Sequence, residues 1–336
     1  MKKKLFTLVL AVLFAVLCVA GCSTEGGSPN DGENSQQQEE TQGSEETQDS
    51  KVIGYSNCEM STPYRVAMVD EFETAIEEAG LDWEVIVTDA QGDAAKQVND
   101  MEDLMAKGVD AIVCSPMTSD TLAPVCKEVV DAGIPLILVD RLISTEDYTA
   151  YVGGDNTEMG RIAGEYIAEQ IGGAGKVAMI EGDAGASATE ERGSGFEEAI
   201  GQYPDIEIVA SVAGDFDQQP AMDAMEDILT KNQELDAVFC QNDLMALGAK
   251  AACEAQNRTD IKIVGCDGQK STCELIMNGT QIIGSVVYPV GGYGSVEVLQ
   301  QIFDNGGVYE GEKIVRLDTP LVTPENAEQY FNEILW

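Results

Sequence analysis

Asp140 and Arg141 stand together at the end of an apolar run, I-P-L-I-L-V at positions 134–139. A run this short, bounded by Gly133 and two charges, reads as a strand buried on both faces, the kind found in parallel sheets. In open α/β sheets ligands bind outside the carboxyl ends of the strands, so a carboxylate and a guanidinium at that exit would face a crevice as hydrogen-bond acceptor and donor. A surface ion pair of little worth is the competing account; two charges at the exit of a buried strand fit a binding role better. The pair has a counterpart. Val109-Asp110-Ala111-Ile112-Val113-Cys114 is echoed by Leu235-Asp236-Ala237-Val238-Phe239-Cys240, and the polar tip Ser115-Pro116 by Gln241-Asn242. Asp140 follows Asp110 by 30 residues, and Asp267 follows Asp236 by 31. A strand–helix–strand unit needs about 30 residues, so the pattern predicts two similar lobes, each presenting polar groups from its strand ends.

Four further positions join this set. Tyr64-Arg65 follows Ser61-Thr62-Pro63 at the start of a helical stretch, beside the exit of the first strand. An aromatic ring there can stack on the C–H face of a sugar and the guanidinium can hydrogen-bond hydroxyls, although a tyrosine opening a helix also serves packing. Arg192 lies on the helix after the loop 182–188, and Phe216, in Asp215-Phe216-Asp217, follows a strand of the second lobe. Asn242 and Asp267 occupy the repeat-defined tips. Hydroxyls both donate and accept, so paired carboxylates and guanidiniums with aromatic faces suit a neutral polyhydroxylated ligand. Other chemistries fit poorly. The loop 182–188 lacks a Gly-Lys-Ser/Thr ending, Ser187 is not in G-x-S-x-G, and the chain contains no His, which removes the commonest general base and a common metal ligand. No catalytic residue, metal site or cofactor is expected.

The elements that must position these groups alternate along the chain. Strands are predicted at 52–56, 83–88, 109–114, 134–139, near 151–152, and at 176–180, 206–212, 236–240, 261–266 and 282–287. Between them, helical periodicity covers 64–79, with Val66, Val69, Phe72, Ala75, Ile76 and Ala79 inward, and 94–106, with Val98, Met101, Leu104 and Met105 inward. Further helices are predicted at 120–132, 158–171, 189–200, 217–231, 243–255, 270–278 and 291–303. An extended piece at 313–323 and a short helix ending near 331 close the chain. Such alternation predicts an α/β fold of two doubly wound, Rossmann-like lobes with parallel sheets.

Ahead of these elements, Lys2, Lys3 and Lys4 precede an apolar stretch at 5–20, a secretory leader too short for a confident span. Val19-Ala20-Gly21-Cys22 fits cleavage after residue 21 and lipidation of Cys22. Residues 22–50 are polar and acidic and predict a disordered tether. The net charge is −41, and loss of the three leader lysines would leave −44; nucleic acid is thereby disfavoured, since phosphate neutralisation needs clustered Lys and Arg. Beyond Cys18 and Cys22, seven cysteines remain without C-x-x-C spacing, so no disulfide framework is expected.

From residue 51 to about 323 the chain resembles the type I periplasmic binding proteins for sugars, of the ribose-binding kind. The resemblance is carried by D-R at 140–141, G-D-N at 154–156, G-A-S-A-T-E-E-R-G-S-G-F at 185–196, D-F-D at 215–217, Q-N-D-L-M-A-L-G-A at 241–249 and C-D-G at 266–268. It implies ligand contacts at Tyr64, Asp140, Arg141, Arg192, Phe216, Asn242 and Asp267. Two departures change the expected ligand. Tyr64-Arg65 replaces the paired aromatics of ribose binders and looks like the aromatic-Arg pair of galactofuranose binders, so Arg65 joins the ligand-binding set. Ser285-Val286-Val287-Tyr288-Pro289 offers Tyr288 where the family offers Gln. The resemblance also implies three crossovers near 154/155, 287/288 and 318, dividing the chain into one lobe of 51–154 plus 288–317 and another of 155–287 plus 318–336. It further implies a monomer, anchored by lipid to the outer face of a bacterial membrane, that delivers a monosaccharide, pyranose or furanose, to an ABC permease. A sugar-sensing partner of a chemoreceptor or histidine kinase is the alternative; a hydrolase using Asp140 and Asp267 is a third reading.

Overall fold

Two six-stranded sheets organise the computed structural model, which describes residues 50–333. The leader, Cys22 and all of the tether but Ser50 lie outside those residues. The first sheet is built from β1 (Lys51–Asn57), β2 (Trp83–Asp89), β3 (Ala111–Ser115), β4 (Leu136–Val139), β5 (Ala150–Gly154) and β11 (Ile314–Leu317), in the order β11-β5-β4-β3-β1-β2. The second contains β6 (Ala174–Glu181), β7 (Asp205–Ala213), β8 (Ala237–Cys240), β9 (Lys262–Asp267), β10 (Ile282–Val287) and β12 (Leu321–Val322), in the order β12-β10-β9-β8-β6-β7. The two orders are the same pattern written twice. All pairings are parallel except β10 with β12, an antiparallel edge not anticipated from the sequence. In each sheet the order reverses beside the first strand of the lobe, which opens a crevice at the strand exits.

Helices cover both faces, and this is why the strands read as unbroken apolar runs. Successive β3 side chains alternate between layers: Ala111 and Val113 pack with Ile53, Tyr55, Ile137 and Val139, whereas Ile112 and Cys114 pack with Leu136 and Leu138. The second sheet repeats the arrangement, with Val238 and Cys240 on one side and Ala237 and Phe239 on the other. Seven cysteines, at 58, 114, 126, 240, 253, 266 and 273, are buried and free. They pack as small apolar groups.

The helices are α1 (Pro63–Glu78), α2 (Ala94–Lys107), α3 (Ser119–Asp131), α4 (Asn156–Gln170), α5 (Ser187–Ile200), α6 (Gln218–Lys231), α7 (Asp243–Ala255), α8 (Lys270–Met277), α9 (Gly292–Asp304) and α10 (Ala327–Glu333). The inward faces of α1 and α2 differ from expectation. Val66 is 39 % exposed and Ala79 is exposed, while Arg65 and Met68 are buried instead. On α2, Val98 and Met105 are half-buried and Gln97 is fully enclosed, its amide donating to the Ser115 carbonyl at 2.9 Å and accepting from the Met117 N–H at 2.7 Å. The chain passes from first sheet to second between β5 and α4, back between β10 and α9, and over again between β11 and β12.

The α4–α5 pair sets where Arg192 stands. A Cβ added at Gly160 would lie 2.0 Å from the Arg192 carbonyl oxygen, and one at Gly195 would lie 1.9 Å from the Thr157 carbonyl oxygen. Backbone cannot rotate aside as a side chain can. We therefore expect Gly160→Ala and Gly195→Ala each to destabilise the protein by about 1–3 kcal/mol, read as a lowered midpoint in chemical denaturation.

Candidate functional site

The exits of β1, β4, β6, β7, β8 and β9 converge on one cleft lined by Glu59, Thr62, Tyr64, Arg65, Asp140, Arg141, Ala188, Arg192, Phe216, Asn242, Leu244, Asp267 and Gln269. Eight residues singled out in the sequence are in it: Tyr64, Arg65, Asp140, Arg141, Arg192, Phe216, Asn242 and Asp267. Tyr288 is not. It is 2 % exposed, and its hydroxyl donates to the Asp140 carbonyl at 2.8 Å. Glu59, Thr62, Ala188, Leu244 and Gln269 were missed. Glu59 and Gln269 carried the same signal as the others, a polar residue just beyond a strand end; Leu244 carried none.

Backbone conformation at the strand exits is unusual. Asp140, Asp267, Asp215 and Phe216 have φ of 68°, 111°, 52° and 51°, values that side chains rarely adopt and that surrounding structure must hold in place. For Asp140 the restraint is visible: its carbonyl accepts from Tyr288 and, at 3.1 Å, from Tyr151. For Phe216 it is Asn242, whose amide donates to the Phe216 carbonyl at 3.1 Å while its oxygen caps α7 by accepting from the Met245 N–H at 2.8 Å.

Charge in the cleft is balanced, with guanidiniums at 65, 141 and 192 and carboxylates at 59, 140 and 267. Arg65 Nη1 lies 2.6 Å from Asp140 Oδ2, both side chains about 5 % exposed or less, and also donates to Ser115 Oγ at 2.9 Å. Arg141 Nη1 donates to the Met117 carbonyl at 3.1 Å, and the guanidinium lies 5.4 Å from the centre of the Phe216 ring, within the range of cation–π attraction. The buried Arg141 Nε has no hydrogen-bond partner in the protein. Arg192 Nε donates to Asn156 Oδ1 at 2.9 Å, and its Nη1 stands 3.9 Å from Asp267 Oδ1. Among the described residues no group of three or more His, Cys, Asp or Glu is placed to hold a metal.

The two strand-end aspartates titrate in opposite directions. Burial would raise the Asp140 carboxyl, but Arg65, Arg141 and Arg192 together hold it below the ordinary carboxylate range. Burial pushes Asp267 up to about 7, because Arg192 counters it only in part and the Asp140 charge adds to it. Behind Asp267 lies Asp243, fully enclosed and raised by burial and then by the Asp267 charge. Its carboxylate accepts from Ser285 Oγ at 2.7 Å and from the Gln269 N–H at 2.8 Å. The cleft thus offers fixed donors, an acceptor at Asp140 that stays ionised, a carboxyl at Asp267 that can hold a proton, and two aromatic faces, Tyr64 and Phe216.

Comparison with known proteins bears on this geometry. Residues 53–307 match the model of a family described as periplasmic binding protein domain. The ribose import binding protein of Bacillus subtilis is 36 % identical over 218 residues, 65 % of this chain and 70 % of that protein. Among solved structures, the fructose binding periplasmic domain of a hybrid two-component system superposes with a TM-score of 0.80 at 29 % identity, over 84 % of this chain and 94 % of that one. A galactofuranose binding protein does so with a TM-score of 0.79 at 26 % identity, over 84 % and 98 %.

The opposed titrations have a measurable consequence. Asp243 and Asp267, raised in the fold, contribute stability that is complete below the unfolded value near pH 4 and is lost as pH rises through their folded values. Asp140, lowered in the fold, contributes stability above about pH 4 that is lost as the pH falls through its folded value. Asp267→Asn should therefore flatten the decline in melting temperature of the unliganded protein between about pH 5 and about pH 8, measured beside the wild type in matched buffers.

Proposed function

Because this chain belongs to the periplasmic binding protein family, we propose that it captures an uncharged monosaccharide between its lobes and hands it to an ABC importer permease. The observation that carries the reading is the charge-balanced cleft, where buried guanidiniums and carboxylates sit between two aromatic residues. Asp140 accepts from sugar hydroxyls, Arg65, Arg141 and Arg192 donate to them, Tyr64 and Phe216 cover the C–H faces, and Asp267 receives or donates according to its proton. Asn242 fixes the Phe216 backbone beside the ring. Tyr288 acts from behind, by holding Asp140. Hydrogen bonds to charged groups contribute about 1.5–3 kcal/mol each, so a few of them with stacking offset the cost of association and reach about −8 kcal/mol, which is micromolar affinity.

The lobes in this reading are 51–154 with 288–317 and 155–287 with 318–336, supported by which sheet each strand joins, and closure is a hinge motion about the crossings. Tyr64-Arg65 and the likeness to a galactofuranose binding protein keep furanoses beside pyranoses as ligands. Lipid on Cys22 holds the protein at the outer face of the cell membrane, supported by Val19-Ala20-Gly21-Cys22 and the acidic tether. No catalytic step is proposed; the matched relatives are named as binding proteins. One observation favours a second reading, ligand sensing: the fructose binding domain that superposes on this chain belongs to a two-component system.

A thermal-shift screen of pentoses, hexoses and furanosides tests the proposal. One sugar should raise the melting temperature in step with the logarithm of its concentration above Kd, by an amount equivalent to about 2.7 kcal/mol at a hundredfold excess, while nucleotides have no effect. Absence of a shift with any sugar would count against it. Asp140→Ala should weaken binding of that sugar roughly 10- to 100-fold by calorimetry. For the anchor, Cys22→Ser should move the protein from the detergent phase to the aqueous phase on detergent partitioning of expressing cells.

A further inference from the structure

The loop between β6 and α5 reaches from the second lobe to the first. Asp183 Oδ2 accepts from Arg141 Nη2 at 3.0 Å, Ser187 Oγ accepts from the Leu142 N–H at 2.8 Å, and the Gly185 carbonyl accepts from the Ser119 N–H at 3.0 Å. Asp183, Gly185 and Ser187 do not line the cleft. Gly185 and Ser187 border a separate recess, together with Ser119 and Leu142 of the first lobe. Ser119 opens α3, so its N–H is one of the donors a helix cannot satisfy internally; the partner comes from the other lobe. Each bond therefore depends on the lobes being together.

We infer that Asp183 and Ser187 latch the closed form, and that Asp183 also orients the Arg141 guanidinium, so that residues outside the cleft set how long a ligand stays. This rests on the reading of the cleft as the sugar site. The two bonds differ in kind. Asp183 makes an ion pair with its side chain 22 % exposed, within reach of salt screening. Ser187 makes a neutral hydrogen bond, which salt hardly touches. Without Asp183 the guanidinium keeps the Met117 carbonyl and the Phe216 ring but loses its hydrogen bond to the second lobe.

Stopped-flow binding of the sugar found in the screen provides the test, with wild type, Asp183→Asn and Ser187→Ala. Each variant should release the sugar about ten-fold faster while kon changes by less than about two-fold. The excess rate in Asp183→Asn should shrink as salt rises toward about 1 M, because the wild-type pair is screened, and the excess in Ser187→Ala should persist. A purely structural role would instead lower the unliganded melting temperature and leave no salt signature. Small-angle scattering of the unliganded protein supplies a measurement that needs no sugar: the double variant Asp183→Ala/Ser187→Ala should have a larger radius of gyration than the wild type. Unchanged koff in both single variants, or equal radii, overturns the latch. If no sugar binds the wild type, the reading of the cleft falls, and the radii alone decide the latch.

Discussion

The ion pair of Arg65 with Asp140 is the constraint around which the first lobe is arranged. A carboxylate and a guanidinium with side chains 4 % and 5 % exposed have lost nearly all hydration, a penalty that attraction repays only with close geometry and further hydrogen bonds. The surroundings supply these. Ser115 Oγ lies between the two charges, donating to Asp140 Oδ2 at 3.2 Å and accepting from Arg65. Tyr151 and Tyr288 hold the backbone that puts the carboxylate there. Gln97, seemingly remote, binds the Ser115 carbonyl and so fixes the strand end that carries the serine. Removing Asp140 would leave the buried Arg65 guanidinium without its ion-pair partner, whereas removing Arg65 would leave the carboxylate with Arg141 Nε at 3.6 Å.

Duplication of the topology has not duplicated the electrostatics. Asp140 and Asp267 sit at equivalent strand ends, both at positive φ, yet three guanidiniums act on the first, whereas Arg192, at 3.9 Å, is the main cation acting on the second. The lobes share a frame and have diverged in the charges they present. A ligand bound as proposed would meet an obligate acceptor on one side and a carboxyl that can carry a proton on the other.

Much of this arrangement was legible in the sequence because buried parallel strands leave a strong trace. β4 and β9 are apolar runs cut off by Asp, and the echo between 109–114 and 235–240 disclosed the repeat before any sheet was seen. What stayed hidden depends on tertiary pairing. A periodicity reading assigns inward positions to apolar side chains, so it placed Val66 and Ala79 inside and passed over Arg65, whose burial is made possible by a residue 75 positions away. Gln97 was hidden for the same reason, since its amide is satisfied by groups on β3 and the turn after it. Tyr288 was legible as a cleft-side residue but not in its direction; only the fold brings its hydroxyl to the Asp140 carbonyl across 148 positions of sequence. The cross-lobe contacts of Asp183 and Ser187 left no local signature at all.

The three passages between the sheets constrain how the molecule can move. A single connecting strand would allow the halves to rotate about it as well as bend. Here β5 to α4, β10 to α9 and β11 to β12 cross close together, with Tyr288 and Thr319 lying against Gly154, and several tethers resist torsion while each can still flex. What survives is close to one degree of freedom, an arc traced by one half relative to the other. In the closure proposed above, such a path would return the strand exits to the same register each time, without a search through rotational misalignments.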